Sequence, residues 1–152
     1  MKVQVTTPSE REIRMEREFN APRDLVWRAY TEPDLLKKWW GRGNELVIEK
    51  FEPARGGHWR FVERGQDGSH GFEGRFREVT KPTRIVQSFE WDDMPAHVCI
   101  NFAEFEELPG GRTKIVTTSL FHTKEERDGM LQSGMEIGLE QSYRALERLL
   151  TS

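Results

Sequence analysis

The side chains with which this sequence could do chemistry are few and scattered. They are one cysteine, Cys99, four histidines, His58, His70, His97 and His122, and carboxylates spread through the middle of the chain. No His-Glu-x-x-His, Cys-x-x-Cys, Gly-x-Ser-x-Gly or Gly-rich phosphate loop occurs, so the spacings that metal-assisted, redox, acyl-transfer and phosphoryl-transfer chemistry require are missing. None of the histidines has a second ligand at helical spacing, which places them at surfaces or strand ends rather than on a metal. Cys99 falls in an alternating apolar run, the setting of a buried, inert thiol, and a single cysteine allows no intramolecular disulfide. Acid/base chemistry needs an ionisable group among inward-facing positions, and alternation offers two, Glu104, in step with Phe102, and Tyr143. Burial would raise the pKa of Glu104 and fit it for that work. Glu73, Arg75, Arg77 and Glu78 read as a solvated strand face, and Glu136 and Glu140 are expected to face solvent. No catalytic residue, cofactor or metal is assigned.

Which of these groups can meet depends on the elements that carry them. A chain of 152 residues suits one domain with a sizeable core; residues 1–10 read as a polar lead-in and 11–152 as the domain. "EIRMEREF" (12–19) alternates as a half-buried strand. Pro22 suits the start of a helix, where its missing N–H costs nothing, and Leu25, Val26, Ala29 and Tyr30 form its apolar stripe. Pro33 opens a second helix carrying Leu35, Leu36, Trp39 and Trp40 until Gly41 and Gly43 stop it. Successive helical residues point about 100° apart, so the two indoles cannot sit alike. Trp39 is expected in the core and Trp40 at its rim. From residue 45 to 121 six strands follow, joined by short turns, which implies an antiparallel meander. Thr123 and Glu126 fit a capping box, and one long helix runs to about residue 150. The plan is α+β, with a helix covering one face of the sheet.

Counting every second residue groups Trp59 with Phe61, Phe72 with Gly74 and Phe76, Phe89 with Trp91, and Ile100 with Phe102. Pointing one way, these rings wall the concave face, with His58 and Arg60 opposite. Leu131, Met135, Leu139, Leu146 and Leu150 form the stripe of the closing helix, and Gly134, Gly138 and Ser142 run beside it. Interior glycines cost about 1 kcal/mol each relative to alanine, so they imply either close approach to the sheet or room for a guest lined by Met135 and Tyr143.

Charge narrows the partners. Lys and Arg number 23 against 26 Asp and Glu, which leaves no basic excess for nucleic acid. No apolar run is long enough to span a bilayer, and "MKVQVTTPSE" lacks the apolar centre of a signal peptide, so a cytoplasmic location is expected.

"REFNAPRDLVWRAYTEPDLLKKWWG", "RGGHWRFVERGQDGSHGFEGRFREVTKPTRIVQSFEW" and "SGMEIGLEQSYRALERLL" together resemble the activator of heat-shock protein 90 ATPase homologue group of the START-like (SRPBCC) superfamily. The resemblance runs from about residue 11 to the C-terminus and rests on the order and spacing of loose elements: Val26-Trp27, the tryptophan pair, Gly56-Gly57, Gly74-x-Phe76 and the Gly-Met helix. It implies a helix-grip fold, a curved antiparallel sheet around a long C-terminal helix with two short helices after the first strand. It also implies a cavity between sheet and helix, with Trp40 near its mouth. Relatives bind lipids, hormones or polyketides, some cyclise polyketides, and the eukaryotic namesake stimulates a chaperone in the stress response. Three functions are therefore carried forward. The first is non-catalytic binding of a small apolar molecule of lipid, polyketide or aromatic class, lined by Trp40, Trp59, Phe61, Phe72, Phe76, Phe89, Trp91, Phe102, Met135, Leu139 and Tyr143, with Trp27 as core. The second is a co-chaperone-like protein-interaction module. The third is a polyketide cyclase-like enzyme, which would need Glu104 or Tyr143 inside the cavity.

Overall fold

Alternation in "EIRMEREF" places Ile13, Met15, Arg17 and Phe19 on one face of a strand, and all four are buried. That strand is the second of eight in a computed structural model that describes residues 1–152. In chain order the elements are β1 (Gln4–Thr6), β2 (Glu12–Phe19), α1 (Arg23–Thr31), α2 (Pro33–Leu36), β3 (Glu45–Phe51), β4 (His58–Gly65), β5 (Gly68–Thr80) and β6 (Arg84–Trp91). β7 (Cys99–Leu108), β8 (Arg112–Leu120), α3 (Lys124–Gln132) and α4 (Met135–Thr151) complete the chain. The strands form one antiparallel sheet in the order β1-β2-β8-β7-β6-β5-β4-β3. The chain leaves β2, crosses through α1 and α2 to the far edge, and returns strand by strand until β8 pairs with β2. The single α-helical turn of α2 continues as turns through residue 39.

Helices cover one face unevenly. α1 packs on β7 and β8, α3 on β2, and α4 on α1 and α3; none of these close packings falls on β3 to β6. Trp27 on α1 meets Phe105 edge-on at 5.2 Å, and Tyr30 meets the same ring at 5.0 Å. Trp39 is buried and its indole N–H donates to the Ala29 carbonyl at 2.9 Å, whereas Trp40 is half-buried, the division that helical spacing requires. Arg127 fastens α3 to the start of the sheet by donating to the carbonyls of Ser9 at 2.7 Å and Glu12 at 3.3 Å.

The C-terminal part departs from the sequence reading in three ways. The closing helix is two helices, because Gly134 takes φ 83° and breaks the path between α3 and α4. Only half of the expected capping box forms: Thr123 Oγ1 accepts from the Glu126 amide at 3.1 Å, while the Glu126 carboxylate reaches His97 Nδ1 at 2.8 Å instead. Glu140, expected in solvent, is 8% exposed and accepts from the Val3 amide at 2.8 Å. That bond ties the lead-in to α4, so Gln4–Thr6 pairs with β2 as an edge strand instead of trailing as a polar extension. Arg144 donates to Glu140 at 3.1 Å, and Arg17 lies 3.8 Å from it and 3.1 Å from Glu147.

Two consequences are measurable. Burial pushes the Glu140 pKa up, but the Val3 amide, Arg144 and Arg17 outweigh it and hold the carboxyl below its ordinary 4.5. A depressed folded pKa gives stability that is present above the unfolded value and is lost as pH falls through the folded one. Glu140→Gln should therefore cost about 2 kcal/mol near neutrality, and its gap to the parent protein should close as pH falls below about 4.5 in urea titrations. Gly74 carries a different constraint: a Cβ there would stand 1.9 Å from the Ser88 carbonyl oxygen and 2.7 Å from Trp59 Nε1. Gly74→Ala should lower stability by about 3 kcal/mol, read in the same titration.

Candidate functional site

Strand parity decides which side chains share the interior. Trp59, Phe61 and Glu63 on β4 point the same way as His70, Phe72, Gly74 and Phe76 on β5, since Trp59 pairs with Gly74, Phe61 with Phe72 and Glu63 with His70. Trp91 lies opposite Phe72, and Phe89 opposite Cys99, which carries the same face onto β7. On β7 the inward residues are Cys99, Ala103 and Phe105, all buried. Phe102 is thus corrected to the outer face, together with Ile100 and Glu104. The Arg84 guanidinium lies over the Phe102 ring at 5.6 Å and reaches Glu104 at 3.5 Å.

Side chains on the inner face are fully buried at one end and half-buried at the other. Along α4 the inward stripe passes from half-buried Met135 and Leu139 to Tyr143 at 3% and Leu146 at 0% exposure. Tyr143 sits edge-on to Phe19 at 5.3 Å and near Trp39 at 6.5 Å, so it belongs to the filled end, where burial raises its phenol above the ordinary range. Trp59, Phe61 and Phe76 are also fully buried; Trp59 locks onto the Ser88 carbonyl at 3.2 Å. The open end is formed by Trp40, Phe72, Phe89 and Trp91, all half-buried, and Met135 and Leu139 of α4 are half-buried too. Trp40 meets Phe61 edge-on at 5.2 Å and Phe72 at 5.5 Å, Phe72 stacks on Phe89 at 5.4 Å, and Trp91 lies opposite Phe72. Of the eleven candidate lining residues, these contacts bring four together at this end.

A loop rather than the sheet explains the small residues of α4. Gly41, Arg42 and Gly43 all take positive φ, 112°, 57° and 83°. The Arg42 amide donates to Ser142 Oγ at 3.1 Å, and Arg42 Cδ would stand 2.6 Å from a Cβ on Gly138. Gly138 and Ser142 are the seat of this loop, which corrects both sequence readings of the glycine stripe. The Arg42 side chain continues to Glu63, 2% exposed, donating from Nε at 3.1 Å and Nη2 at 2.5 Å, and Asn44 donates to the same oxygen at 2.7 Å. Beside the loop lie two clefts. One of about 340 Å³ is lined by Arg42, Asn44, Asp67, Gly134, Ile137, Gly138 and Gln141, and one of about 240 Å³ is bounded by Lys2, Ile137, Glu140 and Arg144. Both are lined mostly by polar and charged residues together with Ile137 of α4, and neither is lined by the aromatic rings of the interior.

Glu63 and His70 were absent from the residues that sequence reasoning placed inside. Both were within reach of the alternation, two positions beyond Phe61 and two before Phe72. His70 Nδ1 and Trp91 Nε1 are buried with no hydrogen-bond partner, and their rings are 5.8 Å apart. On the outer face Arg60 joins Glu49 at 3.0 Å, Glu73 at 3.4 Å and Asp92 at 2.7 Å, and His58 meets Glu73 at 2.8 Å, a solvated ionic ladder. Glu104 outside and Tyr143 locked among rings leave the enzyme reading without its two acid/base candidates. No three His, Cys, Asp or Glu side chains converge as a metal would require, and no helix is long and apolar enough to cross a membrane.

Comparison places these features among known proteins. Residues 20–151 match the family model described as Activator of Hsp90 ATPase homolog 1-like protein. Among solved structures, the chain is similar to a Rhodobacter sphaeroides protein at 29% identity and TM-score 0.90, covering 99% of this chain and 98% of that one. It is similar to a Nitrosomonas europaea protein at 27% identity and TM-score 0.82, covering 94% and 96%. A Mycobacterium smegmatis protein shares the fold at 22% identity and TM-score 0.88, covering 99% and 98%. No curated protein matches the chain.

Burial pushes the Cys99 thiol up to about 12. The thiolate fraction at pH 8 then falls about 1000-fold below that of an ordinary thiol. A disulfide reagent at pH 8 should leave the folded protein unmodified over the time in which it titrates the urea-unfolded chain fully. Rapid modification of the folded protein would show that Cys99 is accessible.

Proposed function

This chain belongs to the Activator of Hsp90 ATPase homolog 1-like family, and from that premise we propose that it binds a small, largely apolar molecule at the open end of its interior, without catalysing a reaction. The observation that carries the reading is the set of half-buried rings, Trp40, Phe72, Phe89 and Trp91, with Met135 and Leu139 of α4 also half-buried, where the other end of the same interior is fully buried. Apolar surface left partly wet on a concave face is favourable to cover, at about 25 cal/mol per Å², and ligand sites are commonly apolar clefts with a few polar groups. Rings also suit a flat guest, because edge-to-face and offset contacts add about 0.5–1.5 kcal/mol each beyond area. The two acid/base candidates of the enzyme reading, Glu104 and Tyr143, lie away from the open end, and the inward carboxylate Glu63 is held by Arg42 and Asn44.

The family description raises a second reading, a module that acts on a chaperone. The exposed large apolar side chains, Met1, Leu25, Met94, Val98 and Ile137, are divided among the N-terminus, α1, the loop between β6 and β7, and α4, so the family description is that reading's main support.

Tryptophan fluorescence and thermal shift against fatty acids, flavonoids and aromatic polyketides should give saturable one-to-one binding by at least one class. Leu139→Trp, which fills the open end, should abolish that binding while the protein stays folded. A flat response from every class, or binding unaffected by Leu139→Trp, counts against the proposal.

A further inference from the structure

We infer that the guest at this open end is an aromatic molecule carrying a neutral oxygen acceptor, a ketone or phenol oxygen, which is held by the indole N–H of Trp91 and the imidazole Nδ1 of His70. The inference rests on the binding reading above and narrows its ligand class.

A buried polar nitrogen without a partner is costly, and such groups are scarce in folded proteins. Here two buried nitrogens lack one, the Trp91 Nε1 donor and His70 Nδ1, whose role depends on the tautomer, and they belong to rings 5.8 Å apart on the same inner face. The only other unpartnered buried side-chain atom, Arg17 Nε, belongs to a guanidinium whose remaining nitrogens are held by Glu18, Glu140 and Glu147. The indole can only donate, which fixes the polarity of the missing group as an acceptor. His70 Nδ1 can carry the proton in one tautomer and donate beside it. On the Trp91 side the neighbours are apolar rings, since Trp91 lies opposite Phe72 and Phe72 stacks on Phe89, while Glu63 lies across from His70. A guest whose oxygen meets the two nitrogens therefore lays its body on aromatic surface.

Charge selects against an anionic head. Glu63 pairs across the strands with His70 on this face, and its carboxylate already takes the donors of Arg42 and Asn44. A carboxylate brought to His70 would meet that like charge, with Arg42 already engaged. A ketone or phenol oxygen accepts the same two bonds without it.

Naphthalene, 2-acetylnaphthalene and 2-naphthoate share one aromatic body and differ in the head group, which makes them suitable probes for calorimetric titration. We expect the ketone to bind at least 10-fold more tightly than naphthalene and more tightly than the carboxylate. Trp91→Phe deletes the donor together with part of the ring, so the bond is read from the difference between the probes: the ketone should lose at least fivefold more affinity than naphthalene. Equal binding of naphthalene and ketone, or an equal loss of both in Trp91→Phe, would overturn the inference, although the binding reading would survive those results. Failure of all three probes to bind would remove both.

Discussion

The buried carboxylate of Glu63 sets the geometry on which the rest of the open end depends. A charge at 2% exposure must be paired, and removing one partner of such a pair costs far more than the pair contributes. The partners come from a single loop, Arg42 and Asn44, and the loop can deliver them only by holding three successive residues at positive φ. Two are glycines; the third is Arg42, whose strained backbone is held by Ser142 and by its own ion pair. The Arg42 side chain lies between Gly138 of α4 and Glu63 of β4, so the first turns of the helix rest on this loop.

At the other end the polar groups do the opposite. Arg17 points inward among apolar residues, its guanidinium 4.6 Å over the Phe19 ring and ion-paired with Glu147, with Glu140 nearby. This draws the C-terminal turns of α4 onto β2, and Tyr143 and Leu146 fill the space between. The helix is thus clamped at one end and propped at the other. Strands β4 and β5 carry their remaining charge outward, in the ladder around Arg60, and so keep one face wet and one apolar, as an antiparallel sheet allows.

Much of this was legible in residue order. Alternation located seven of the eight strands and gave the correct face for Trp59, Phe61, Phe72, Phe76, Phe89 and Trp91. Pro22 and Pro33 marked the two short helices, and the tryptophan pair divided between core and rim. The error at Phe102 has a local cause: "CINFAEFEEL" is apolar at both parities in its first half, and the deciding signal is that Glu104 and Glu106 fall in step with Phe102. His70 and Glu63 needed the same parity carried two residues further. The break at Gly134 and the seat at Gly138 were not readable, because propensity records what a glycine costs its own helix and not what touches it. Arg42 reaches Gly138 across 96 positions of sequence, a contact no local pattern contains. β1 escaped for a related reason: three residues cannot establish a period, and Val3 is held by Glu140 on the last helix.

Membership of a family fixes the fold far more firmly than the use to which the interior is put. An apolar cleft alone discriminates weakly, since one methylene more or less changes binding by about 1–3 kcal/mol. Discrimination grows when the cleft contains polar groups that only the right guest can satisfy, because the wrong one leaves them buried and unpaired. On the proposed reading the rings supply area and the Trp91–His70 pair supplies the demand for an oxygen. Glu63, bonded by Arg42 and Asn44, makes no such demand and instead holds the loop against the start of α4. Selectivity on that reading comes from the two unpartnered nitrogens, and the carboxylate serves geometry.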